Sequence, residues 1–124
     1  MQQHKVLCVS FDMMVSDARR AALKAAGYNP IATTRVREAL ELLSRERFDL
    51  VIVGHRLSVE DKYLLTIEAK EKSDTPVLLV CGATPDPEIP ASARVYALEG
   101  TAGLVAAALA LAPGRMASVS RPAA

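Results

Sequence analysis

Five short runs of apolar, largely β-branched residues punctuate the chain: Val6–Val9, Ile31–Thr33, Leu50–Val53, Val77–Val80 and Val95–Leu98. The clearest of them are continuous rather than alternating, and this limits the possible folds more than any other feature. A strand with one face in water alternates apolar and polar residues. A strand covered on both faces has no polar side and reads as an unbroken hydrophobic run. Such strands belong inside a parallel sheet, whose connections cross over its faces, usually as helices. The intervening segments have helical spacing. Met13–Ala26 is rich in Ala and stops at Gly27, a residue suited to the position just past a helix. Arg35–Glu46 places Val36, Ala39, Leu40 and Leu43 on one stripe and Arg37, Glu38, Glu41 and Arg45 on the other. Glu60–Lys72 offers Leu64, Leu65 and Ile67 inward, with Glu68, Lys70 and Lys72 toward water. Thr101–Ala112 predicts the last helix. Strands alternating with helices imply right-handed βαβ crossovers and a doubly wound five-stranded α/β sheet.

The connection between the fourth and fifth strands breaks the pattern. Pro85, Pro87 and Pro90 fall within Gly82–Pro90 and block helix propagation, so a loop or a single turn is expected there. At 124 residues the chain is one domain, expected over residues 1–112, with a flexible C-terminal tail over 113–124. Aromatic residues make up only 4%, so the core must be aliphatic. A net charge of +1 gives no reason to expect nucleic acid as a partner. Two cysteines, Cys8 and Cys81, exclude a disulfide-stapled secreted fold. The N-terminal apolar run is shorter than a signal peptide needs, and no run approaches the roughly 20 residues of a membrane span. The expectation is a soluble, cytoplasmic protein.

Several motifs occur in order at consistent spacing. Val9-Ser10-Phe11-Asp12 follows the first strand, and Ala25-Ala26-Gly27-Tyr28 ends the first helix. Glu38-Ala39-Leu40-Glu41-Leu42-Leu43 forms the second helix. Phe48-Asp49-Leu50-Val51-Ile52-Val53 is the third strand, and Thr75-Pro76-Val77-Leu78-Leu79-Val80 opens the fourth. With these motifs the chain resembles a response-regulator receiver domain of the chemotaxis-protein, flavodoxin-like type, nearly without gaps from Lys5 to Val80. The resemblance implies strand order 2-1-3-4-5, with the family's fourth helix shortened or absent here.

What the resemblance implies for chemistry is phosphoryl transfer to an Asp at the C-terminal end of the third strand. That rim is where ligands sit in open α/β sheets. An acidic pair after the first strand would hold Mg²⁺, which prefers hard oxygen ligands. A Thr or Ser after the fourth strand and a Lys after the fifth would contact the phosphoryl group. In this chain the acceptor position falls on Gly54 and the acidic pair on Ser10 and Phe11. The hydroxyl position falls on Cys81 and the lysine on Glu99. Asp12 remains, one carboxylate without its neighbours. Tyr96 stands where the family often has a switching aromatic. The implied function is a non-phosphorylatable pseudo-receiver: not an enzyme, without a metal or cofactor, and acting through protein partners in bacterial-type two-component signalling.

Other readings attach to the same residues. The rim around Ser10, Gly54, His55 and Cys81 suggests a small-molecule or redox sensor as the alternative. A transition-metal site from His55, Cys81 and Asp12 lacks paired ligand spacing. The Asp-x-His-x-x-Gly motif of vitamin-B12 domains is missing from Val53-Gly54-His55. Cys8 reads as a small buried apolar residue. Ser10 has no base placed to activate it, so a hydrogen bond to nearby backbone is expected. The last helix carries no charge. With Leu104, Ala108 and Leu111 on the sheet, Val105 and Leu109 are expected to face outward. Together with Leu98 they would make an interaction face, including a possible homodimer through this helix.

Overall fold

The structure, a computed structural model, describes residues 4–112; the expected tail over 113–124 lies outside the described residues. The order of elements is β1 (Lys5–Val9), α1 (Met13–Ala25), β2 (Asn29–Thr33), α2 (Val36–Arg45), β3 (Leu50–Val53), α3 (Val59–Ser73), β4 (Val77–Cys81), β5 (Ala93–Tyr96), a 3₁₀ turn (Ala97–Glu99) and α4 (Gly100–Leu111). The five strands form one sheet in the order β2-β1-β3-β4-β5, and every neighbouring pair is parallel. This is the expected doubly wound arrangement.

Alternate residues of each central strand supply two core layers, which explains the unbroken apolar runs. Leu7, Val9, Val51, Val53, Val77 and Leu79 face α2 and α3 together with Leu43 and Leu65. Val6, Cys8, Leu50, Ile52, Leu78 and Val80 face α1 and α4, where Leu23, Tyr28 and Leu104 close the layer. The Tyr28 hydroxyl donates to the Ala112 carbonyl at 2.6 Å, fastening the end of α4 to the far end of α1. Gly27, at φ 99°, makes the left-handed turn out of α1 that the sequence predicted.

Three expectations need correction. β2 begins at Asn29 rather than Ile31 and so includes Pro30, which an edge strand tolerates. β5 spans Ala93–Tyr96, two residues earlier than the apolar run suggested. Ala93 pairs with Leu78 and Tyr96 with Cys81. The chain then leaves the sheet because the Glu99 carboxylate accepts the Tyr96 backbone N–H at 3.0 Å, closing the 3₁₀ turn. Leu98, read as strand, is 95% exposed on that turn. In α3, Leu64 faces water and the buried stripe is Lys62, Leu65, Thr66 and Ala69.

Lys62 is buried because the β4–β5 connection reaches it. Residues 82–92 contain no helix. Instead, the Arg94 side chain donates to the carbonyls of Pro85, Asp86 and Ile89 at 2.7, 3.0 and 2.5 Å. Lys62 Nζ pairs with Asp86 Oδ2 at 2.7 Å. Ile89 is fully buried and joins the layer with Leu79 and Cys81. Ile89, the Arg94 hydrogen bonds and the Lys62–Asp86 pair thus hold a helix-free connection over the sheet.

Candidate functional site

The C-terminal ends of β1, β3 and β4 meet at one rim, because Val9 is in register with Val53 and Val53 with Leu79. The next residues of the first two strands are Ser10 and Gly54. Ser10 is fully buried. The Gly54 N–H donates to the Val9 carbonyl at 2.8 Å, so β3 closes directly onto β1. A Cβ at position 54 would lie 2.8 Å from Val9 O, 3.2 Å from Ser10 Cα and 3.4 Å from Arg19 Nη1. The first two are backbone atoms and cannot swing aside. Position 54 therefore has no acceptor carboxylate and no room for a side chain as the backbone now stands.

The third contact identifies a residue the sequence reading missed. Arg19, on α1, is only 8% exposed, and its Nη1 donates to Ser10 Oγ at 3.4 Å. Ser10 Oγ also lies 3.8 Å from Cys8 Sγ. The hydroxyl expected to bond backbone thus meets side chains instead. Burial pulls the Arg19 pKa down, opposed by the charges of Cys8 and Asp12; a guanidinium nevertheless stays protonated. A signal existed in the sequence: Ser16, Arg19 and Leu23 share one stripe of α1, and an arginine in such a stripe must face either the core or the rim.

Asp12, the surviving acid, is the N-cap of α1. Its Oδ1 accepts the Val15 N–H at 2.9 Å, one of the orphan donors at the helix start. Phe11 is half exposed, with the Arg56 guanidinium 4.8 Å from its ring centre. A magnesium ion does not fit these residues. Phe11 has no oxygen to offer, Ser10 faces a guanidinium, Asp12 holds a helix end, and a buried cation occupies the neighbourhood. Among the described residues no three His, Cys, Asp or Glu side chains gather to hold a metal, so His55, Cys81 and Asp12 do not converge on one.

Cys81 is fully buried at the end of β4, its thiol 3.6 Å from the Pro85 carbonyl and 4.0 Å from that of Leu79. Desolvation pushes its pKa up, against the pull of Arg94. Burial likewise raises that of Cys8. Raised thiol pKa values mean little thiolate, which is unfavourable for redox chemistry. His55 is pulled below its ordinary range, first by burial and then by Arg19, Arg56 and Lys62; its Nδ1 is buried without a hydrogen-bond partner. The Glu99 carboxylate is engaged by the Tyr96 backbone N–H in the turn described above. Tyr96 is 41% exposed on the edge strand.

The face of α4 differs in detail from expectation. Leu104 and Ala108 are buried, but Leu111 is only half-buried. Val105 and Leu109 are also half-buried, and Leu109 and Leu111 both pack against the core layer. The positions facing water are Thr101, Ala102, Ala106 and Ala110. No helix of the described residues is long and apolar enough to cross a membrane.

Comparison with known proteins agrees with the topology. No family model matches the chain, and no curated protein matches its sequence. Solved structures match closely in shape. The response regulator receiver protein of Sinorhizobium medicae superposes with a TM-score of 0.77 at 20% identity, over 87% of this chain and 93% of that one. The chemotaxis protein CheY4 of Vibrio cholerae gives 0.72 at 21% identity, over 87% and 98%. The receiver domain of the sensor histidine kinase PA1611 of Pseudomonas aeruginosa, solved with a magnesium ion in its active-site cleft, gives 0.75 at 19% identity, over 87% and 96%. The chain therefore has the fold of response-regulator receiver domains.

Proposed function

We propose that this protein is a pseudo-receiver: a signalling module of receiver fold that takes no phosphoryl group and acts by binding other proteins. The observation that carries the reading is the packing at Gly54. An aspartyl nucleophile there would need the β1 backbone to move away, and a metal beside it would face the Arg19 guanidinium. The module holds one conformation, since no phosphoryl group exists to move Tyr96. Docking through the turn bearing Leu98 and the neighbouring face of α4, to a partner or a second copy, is the output this reading assigns. Leu98, left 95% in water on that turn, is the residue this reading assigns to the contact. The protein is not an enzyme on this reading and works in the cytoplasm.

The decisive experiment is incubation with acetyl phosphate and Mg²⁺ followed by intact-mass spectrometry. No phosphoryl adduct is expected. A hydroxylamine-labile adduct would overturn the reading. The redox alternative predicts rapid modification of Cys81 by a thiol reagent in the native protein. The burial and raised pKa of that thiol instead predict slow reaction, at the rate of local opening.

A further inference from the structure

Arg19 also lines a second feature. A groove of about 200 Å³ lies between α1 and α4, over the ends of β4 and β5. Its walls are chiefly Val15, Val80, Val95 and Leu104, with Thr101 at its polar edge. Arg19 is the only charged side chain lining it among the described residues. A guanidinium carries five N–H donors. The single hydrogen bond Arg19 makes among the described residues is the long one to Ser10, and no carboxylate lies within 4.0 Å of it. Asp12, whose charge it feels, is already engaged by the Val15 N–H. Asp12 attracts the guanidinium without touching it, and the Arg19 N–H groups other than the one on Ser10 have no protein acceptor among the described residues and are not sealed from solvent, so an anion from outside can reach them.

We propose that this groove is a binding site for a short aliphatic monocarboxylate, its carboxylate taken by Arg19 and its chain by Val15, Val80, Val95 and Leu104. The single charge and apolar walls suit a monoanion. A phosphate dianion would leave its second charge against hydrocarbon. The volume sets the size. At about 200 Å³ the groove lies below the roughly 300–1,000 Å³ of sites for drug-sized ligands, so a short chain suits it. A planar guanidinium matches a carboxylate edge with two parallel hydrogen bonds, which an alcohol cannot reproduce. The site goes beyond the pseudo-receiver reading: a phosphoryl adduct would overturn that reading and leave this one standing.

The test is titration of the full ¹⁵N-labelled chain with pentanoate, pentan-1-ol and pentylamine at constant ionic strength, following the amides of Thr101 and Leu104 and the Arg19 Nε–H. Saturable shifts with pentanoate, at least tenfold weaker binding of the alcohol and none of the amine are expected. Arg19→Met should abolish the preference for the acid. Ala18→Phe, which fills the exposed mouth while keeping Arg19, should abolish binding altogether and serves if Arg19→Met does not fold. Absence of saturation, equal affinity for acid and alcohol, or unchanged pentanoate binding by Ala18→Phe would each overturn the proposal.

Discussion

Gly54 shows how one residue can close a site more firmly than the loss of a functional group alone. Replacing it by Asp inserts a Cβ against the Val9 carbonyl and a carboxylate into a buried site. Overpacking of this kind costs about 1–3 kcal/mol. Gly54→Asp should therefore lower stability in urea and still give no adduct with acetyl phosphate. Gly54→Ala separates the steric part, and a neutral Gly54→Ala would refute the packing argument. Asp12 makes the complementary point. Because its carboxylate caps α1, Asp12→Ala should cost about 1 kcal/mol in equilibrium unfolding, and Asp12→Ser should recover most of it. If Asp12 served only as a remnant metal ligand, neither variant would change stability in metal-free buffer.

At the scale of elements, the β4–β5 connection replaces a helix with anchors. Ile89 does the covering, so Ile89→Ala should cost about 2–5 kcal/mol, as for a buried core residue. A loop that merely lay over the surface would show almost no loss in a denaturant titration. The loss of the helix was legible in three prolines, but its substitute was not. Nothing in the sequence singles out Arg94 or Lys62, and only the folded chain brings one to three loop carbonyls and the other to Asp86. The same holds for α4. Its uncharged sequence suggested an open apolar face with Val105 and Leu109 outward, whereas packing turns Leu109 against the core and leaves alanines in water.

For the whole molecule, the shifted groups define a stability optimum in pH. His55 binds its proton less readily folded than unfolded, so stability is intact above its ordinary 6.5 and declines as pH falls below that value. Asp86, held below its ordinary 3.8 by its hydrogen bond to Lys62, adds a further decline in strong acid. Cys8 and Cys81 are raised above 9.0, so their contribution is intact below that pH and is lost above it. Thermal unfolding should accordingly peak between about pH 6.5 and 9. His55→Gln should flatten the fall between pH 7 and 5, and an unchanged slope would remove His55 from the account. Self-association belongs to this scale as well. On the pseudo-receiver reading, sedimentation equilibrium should show a concentration-dependent dimer. Leu98→Glu should weaken it more than Val105→Glu or Leu109→Glu, whose side chains are partly occupied by the core. A monomer at every concentration would exclude the dimer.

Strand number, parallel direction and helical crossovers could be read from the chain because burial on both faces leaves its mark along each strand, one residue at a time. Position 54 could likewise be seen to lack a nucleophile. The ends of β5, the inward turn of Lys62 and the arrival of Arg19 beside Ser10 depend on which side chains meet across elements distant in sequence. No local pattern encodes such meetings, since an arginine in a helix is an equally good helix former whether it faces water or a buried rim. Packing alone turned Arg19 inward, and with it decided what kind of pocket this rim became.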